Sequence, residues 1–172
     1  MISVDTSIKD VHFLESMHPS DIAYRSVSIA LSDLAACGAT PSWFTLALSL
    51  EKYDSTWLSD FKRGLIDISS ELKIPLIGGD TTKGNLSITV QVGGYVKKGT
   101  ALTRKGAKTG DSIYLTGLIG EASSTLDAIK KDNLVNLKKS RYLRPEIRFG
   151  VSNKLIGIAS SAIDVSDGLF QE

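Results

Sequence analysis

Leu76-Ile77-Gly78-Gly79-Asp80-Thr81-Thr82-Lys83-Gly84 is the stretch from which the architecture can be read. An apolar run from Ile74 to Ile77 stops at two glycines and is followed at once by a carboxylate, two hydroxyls and a lysine. This order reads as a strand ending in a site. Paired glycines let the backbone approach a ligand or take positive φ, and Asp80 then projects a hard oxygen ligand from the strand's end. The same residues could equally make a tight turn closed by an Asx hydrogen bond. Three more aspartate-bearing segments, Ser3-Val4-Asp5, Ser32-Asp33-Leu34 and Ile163-Asp164-Val165-Ser166-Asp167-Gly168, also border apolar elements, which favours the site.

Upstream of this stretch, Trp57, Leu58, Phe61, Leu65, Ile68 and Leu72 repeat at helical spacing behind Ser55, a cap-forming residue, and the pattern ends near Lys73. Before that helix, Phe44, Leu46, Leu48 and Leu50 alternate with small or polar residues, as in a half-buried strand. An earlier helix is expected from Ser20, with Ala23, Val27, Ala30, Leu31 and Leu34 on one face and Gly38 as its stop. Asp33 sits near that helix's C-terminal end, where the dipole disfavours an anion and a positive partner is called for. Ile2 to Val4 reads as the end of a strand that enters without a turn, as if residues were missing upstream, and Thr6 to Met17 as a polar loop holding His12. Downstream, Leu86, Ile88, Val90 and Val92 alternate towards Val96.

Residues 1–100 therefore predict a two-layer α/β (α+β) domain, a mixed sheet with helices on one face. Gly- and Lys/Arg-rich residues 101–110 read as a connector. Residues 111–172 read as part of a second α/β domain, with strands at 112–116 and 162–165 and helices at 121–131 and from Pro145; the charged stretch from Lys130 to Arg144 reads as solvated.

The 172 residues are 42% hydrophobic and 23% charged, enough to bury a core. With 20 basic against 19 acidic residues the net charge is +1, which gives no reason to expect nucleic acid or a membrane surface as partner. Cys37 is the single cysteine, so no internal disulfide forms; its place in an apolar helical run marks it as core. No apolar stretch approaches the ~18 residues of a membrane span, and a cytoplasmic protein is expected.

Were the fold to gather Asp5, Asp33, Asp80, Asp164 and Asp167, their mutual repulsion would demand divalent cations or arginines. An oxygen-only set without histidine or cysteine ligands suits magnesium, which usually enters with substrate phosphates. No phosphate-binding glycine loop of the Walker or protein-kinase type is present. Arg104 could give a phosphate a bidentate contact or be a plain surface cation, and His12 could touch substrate or be a satisfied loop histidine.

Six segments together resemble the thiamine-monophosphate kinases of the aminoimidazole ribonucleotide synthetase superfamily: Ser3 to Phe13, Ala30 to Pro41, Leu76 to Gly84, Ala101 to Ala107, Gly110 to Gly117 and Ile163 to Leu169. The resemblance implies ATP- and magnesium-dependent phosphorylation of thiamine phosphate to thiamine diphosphate by in-line transfer. It also implies a homodimer whose N-terminal sheets join into a shared barrel, with ATP near the subunit boundary. By position, Ser3, Val4 (through its backbone), Asp5, Asp33, Asp80, Asp164 and Asp167 would hold magnesium. Gly79, Asp80, Arg104 and Ser166 would contact ATP, and His12 would contact thiamine phosphate. The family's upstream Gly-Asp-Asp segment and its downstream half have no counterpart in these residues, and Lys9-Asp10 stands where relatives often show Glu-Gly. Two other readings are a selenophosphate synthetase or aminoimidazole ribonucleotide synthetase type of enzyme, and a truncated nucleotide-binding or dimerisation module. No cysteine near the start supports the selenium enzyme.

Overall fold

A computed structural model describes residues 1–131 and 140–172. Residues 2–95 form a β-α-β-α-β-β unit: β1 Ile2–Ile8, α1 Pro19–Ala36, β2 Thr40–Leu50, α2 Ser55–Leu72, β3 Leu76–Lys83 and β4 Ser87–Tyr95. The sheet order is β1-β4-β2-β3. β4 runs antiparallel to both β1 and β2, and the crossover through α2 makes β2 and β3 parallel. The mixed sheet and its helices match the predicted class.

The helices cover one face only. Val27, Ala30, Leu31 and Leu34 of α1 are sealed against Phe44, Leu46, Leu48, Ile88, Val90 and Val92, all alternate residues of β2 and β4. α2 packs on α1 through Phe61 and Ile68, and Gly64 lets the backbones meet, since a Cβ there would lie 2.0 Å from the Ser20 carbonyl oxygen. The other sheet face is open; it carries Val4, Thr6, Ala47 and Asp80, and Thr6 and Thr89 join hydroxyls across it at 2.9 Å.

Several boundaries differ from expectation. β1 runs on to Ile8, and the following loop buries Phe13 and Met17, so it is not simply polar. His18 caps α1 in place of Ser20, and Asp54 caps α2 in place of Ser55, its Oδ1 accepting from the Thr56 and Trp57 amides at 3.0 Å each. A carboxylate one residue earlier takes the positive end of the dipole from the hydroxyl. β3 does not stop at the glycines but continues to Lys83, with Gly78-Gly79-Asp80 inside the strand.

Beyond Tyr95, helices α3 Glu121–Lys130 and α4 Phe149–Leu155 are present, the latter starting four residues after Pro145. Residues 112–116 and 162–165 take no strand conformation, because neither has a ladder partner among the described residues. Part of the stretch read as solvated lies outside the described residues, but its end does not stay in water: Tyr142 and Leu143 are buried against the α1/α2 layer. Arg144 fixes them there, donating to Asp21 at 2.7 Å and Asp67 at 2.9 Å while lying over the Tyr24 ring. Among the described residues no helix is long and apolar enough to cross a membrane.

Candidate active site

β1 alternates so that Ser3 and Asp5 point to the helix-covered side while Val4 is exposed on the open face. The last turn of α1, which contains no basic residue, lays Asp33 alongside them. The Ser3 hydroxyl donates to Asp33 Oδ2. Asp164 arrives from the far end of the chain; it comes close enough to Asp33 to raise that carboxyl, and it accepts the Ser166 hydroxyl at 2.7 Å. Arg104 Nη2 stands 4.0 Å from Asp164 Oδ1. A cleft of about 190 Å³ opens between them, with Asp33, Arg104 and Asp164 on its polar side and Leu34, Leu102 and Ile163 on its apolar side.

The electrostatics are those of a carboxylate group short of cations. Burial pushes the Asp5 carboxyl above the ordinary carboxylate range, and Asp33 and Asp164 push it further, with His12 pulling the other way. Asp5 Oδ2 is buried with no hydrogen-bond partner among the described residues. Asp33 is likewise raised, first by burial and then by Asp164, against the hydrogen bond from Ser3 and the charge of Arg104. An orphaned buried carboxylate oxygen beside two like charges is costly unless a cation is supplied. The donors are all oxygens, which fits magnesium. Among the described residues no three acidic, histidine or cysteine side chains form a ready cage, and magnesium does not require one, since it keeps waters and binds through one or two carboxylates plus phosphate oxygens.

His12 is close enough to Asp5 to act on its charge. Its Nδ1 accepts the Ile8 amide at 3.1 Å and its own amide donates to the Ile8 carbonyl at 2.9 Å, an arrangement that assigns the ring proton to Nε2. Lys9-Asp10 departs from the family pattern without loosening this loop: Asp10 takes φ 60° and its carboxylate accepts the Glu15 amide.

Not every predicted ligand joins the cluster. Gly79 and Asp80 lie on β3, the opposite edge of the sheet, and Asp80 is exposed with Oδ1 on the Thr81 amide at 2.8 Å. Neither Gly78 nor Gly79 has positive φ; a Cβ on Gly79 would lie 2.0 Å from the Leu46 carbonyl oxygen, so that glycine serves strand packing. Asp167 is exposed, its amide and that of Ser166 both donating to Glu172. Cys37, read as core, instead lines the cleft half-exposed, with burial and the two aspartates raising its thiol. Its position one turn after Asp33 was the available signal.

A family model for the N-terminal domain of AIR synthase related proteins matches residues 1–96. The chain belongs to the AIR synthase related family. Within that family it is 44% identical over 177 residues to the thiamine-monophosphate kinase of Buchnera aphidicola subsp. Schizaphis graminum, covering 99% of this chain and 55% of that protein. The crystal structure of thiamine-monophosphate kinase from Stenotrophomonas maltophilia superposes with a TM-score of 0.91 at 37% identity, covering 99% of this chain and 57% of that one. AaThiL complexed with AMPPCP and TMP matches with a TM-score of 0.88 at 26% identity, covering 98% and 56%. The chain thus spans about half the length of the thiamine-monophosphate kinases it matches.

Proposed function

We propose that the protein phosphorylates thiamine phosphate with ATP in a magnesium-dependent reaction, giving thiamine diphosphate. The observation that carries this reading is the meeting of Asp5, Asp33 and Asp164, with Asp5 Oδ2 buried and unpartnered, in a chain related over almost its whole length to thiamine-monophosphate kinases. Asp5, Asp33 and Asp164 would hold the metal, with Ser3 orienting Asp33. Bound magnesium supplies charge neutralisation between two phosphate groups that otherwise repel, the donor's terminal phosphoryl and the acceptor's dianion. Arg104, exposed at the cleft mouth and only loosely paired with Asp164, can turn to a phosphate and fix its orientation. His12 presents Nε2–H as a donor to the acceptor phosphate. No side chain need form a covalent intermediate; positioning and charge are enough.

Gly79 and Asp80 enter this account through a second copy. Among the described residues the sheet has an open face and two unpaired edges, β1 and β3, which support a homodimer in which the two sheets close on each other and the β3 edge of one copy meets the β1 edge of the other. Asp80 then completes a nucleotide site at the subunit boundary. Val4, Ser166 and Asp167 belong to the same site by family position. The reading carries a cytoplasmic location with it, and residues 101–110 as the connector to a second domain. Purified full-length protein with ATP, magnesium and thiamine phosphate should form thiamine diphosphate, and should form none with EDTA. Magnesium-dependent ATP turnover that ignores thiamine phosphate would overturn the assignment.

A further inference from the structure

Asp33 and Asp164 must hold one spacing for the site to work, yet Asp164 lies on a stretch with neither helix nor strand. What fixes that stretch is contact with the end of α1. Gly38 closes α1 at φ 70°, with its amide on Ala35 and the Ala39 amide on Leu34. The turn is bare of side chain, and Ile156 fills the space: a Cβ on Gly38 would lie 3.1 Å from Ile156 Cγ1 and 3.2 Å from its Cδ1, with Leu102 Cδ1 at 3.6 Å. The backbone completes the clamp, since the Leu102 amide donates to the Cys37 carbonyl at 3.1 Å and the Ala162 amide to the Thr103 carbonyl at 3.0 Å. One turn of α1 separates Gly38 from Asp33; two residues separate Ala162 from Asp164 and Leu102 from Arg104.

We infer that Ile156, seated on Gly38, is a positioning residue that sets Asp164 and Arg104 against Asp33. This rests on the metal-dependent phosphoryl-transfer reading. Ile156 touches none of the reacting groups, so its loss shows in metal affinity and leaves the chemistry at saturation alone. Outer residues that orient metal ligands typically cost about 10–100-fold in affinity when removed. Ile158, two residues on and largely exposed, is the control.

The test compares full-length wild type, Ile156→Ala, Ile156→Val and Ile158→Ala, measuring Mn²⁺ binding with AMPPCP present, the magnesium dependence of turnover and the thermal melt. Ile156→Ala should weaken Mn²⁺ binding and raise the half-saturating magnesium by about tenfold, with kcat at saturating magnesium near wild type. Ile156→Val should recover most of the loss, and Ile158→Ala should match wild type. Wild-type Mn²⁺ affinity in a folded Ile156→Ala, or a valine variant as impaired as the alanine one, would overturn the inference. Should Ile156→Ala fail to fold, Ile156→Thr takes its place, and a folded threonine variant with wild-type Mn²⁺ affinity overturns the inference equally. No Mn²⁺ binding by wild type itself would overturn the metal reading, and the inference with it.

Discussion

Asp5 and Asp80 stand on opposite edges of one four-stranded sheet and on opposite faces of it. Asp5 pairs with Val90 and points beneath α1, while Asp80 pairs with Ala47 on the open side. Three strand spacings separate the edges, roughly 14 Å. One chain does not unite these carboxylates, which leads to the first prediction. Asp5→Asn and Asp80→Asn variants should each be inactive alone. Mixed after subunit exchange, they should recover about one quarter of wild-type turnover, because half the dimers would be mixed and each would hold one intact site. No recovery would mean that each site is built within a single chain.

The raised carboxyl of Asp5 makes a second prediction. A folded value above the unfolded one means the native state holds the proton more tightly, so the stability it contributes is present below the ordinary value of 3.8 and is lost as pH rises through the raised folded value. Without divalent cations, Asp5→Asn should therefore melt higher than wild type at neutral pH, and the gap should close on acidification. Magnesium with nucleotide should raise wild type alone. Differential scanning calorimetry across that range checks both signs.

The two central glycines should answer differently to a methyl group. Gly79→Ala drives a Cβ into the Leu46 carbonyl and should cost about 1–3 kcal/mol in a urea titration through strained β2–β3 pairing. Gly78→Ala meets nothing within 4 Å and should leave stability within about 0.5 kcal/mol of wild type. Equal costs would return both glycines to a common role.

Arg144 holds Tyr142 and Leu143 onto the helices by bridging Asp21 and Asp67. Arg144→Met strands two carboxylates that keep some contact with water, so the loss should be about 1–2 kcal/mol, below that of a fully buried pair. Arg144→Lys should recover only part, since an ammonium cannot bridge both carboxylates and lie flat over Tyr24. Chemical denaturation of the three proteins measures this.

The sheet and its two helices were legible because Phe44 to Leu50 and Ile88 to Val92 alternate and α1 and α2 keep helical period, each with its apolar side facing one core. That Asp5, Asp33 and Asp164 would lie near one another was foreshadowed in the sequence because each borders an apolar element. The place of Asp80 was not, since no local pattern tells which edge or face a strand will take; sheet order is decided by distant pairing. Tyr142 and Leu143 were hidden by charged neighbours, and the burial that Arg144 enforces depends on carboxylates 77 and 123 residues away. Cys37 shows the converse: an apolar run predicts burial, but the cleft opens where that run ends.

Asp5, Asp33 and Asp164 are proposed to hold a divalent cation with the nucleotide. The most direct measurement is a Mn²⁺ titration of the full-length protein in the presence of AMPPCP, comparing wild type with Asp33→Asn and with Asp127→Asn on α3. Wild type and Asp127→Asn should bind alike, and Asp33→Asn should bind at least about tenfold more weakly. Equal affinity in wild type and Asp33→Asn would contradict the account.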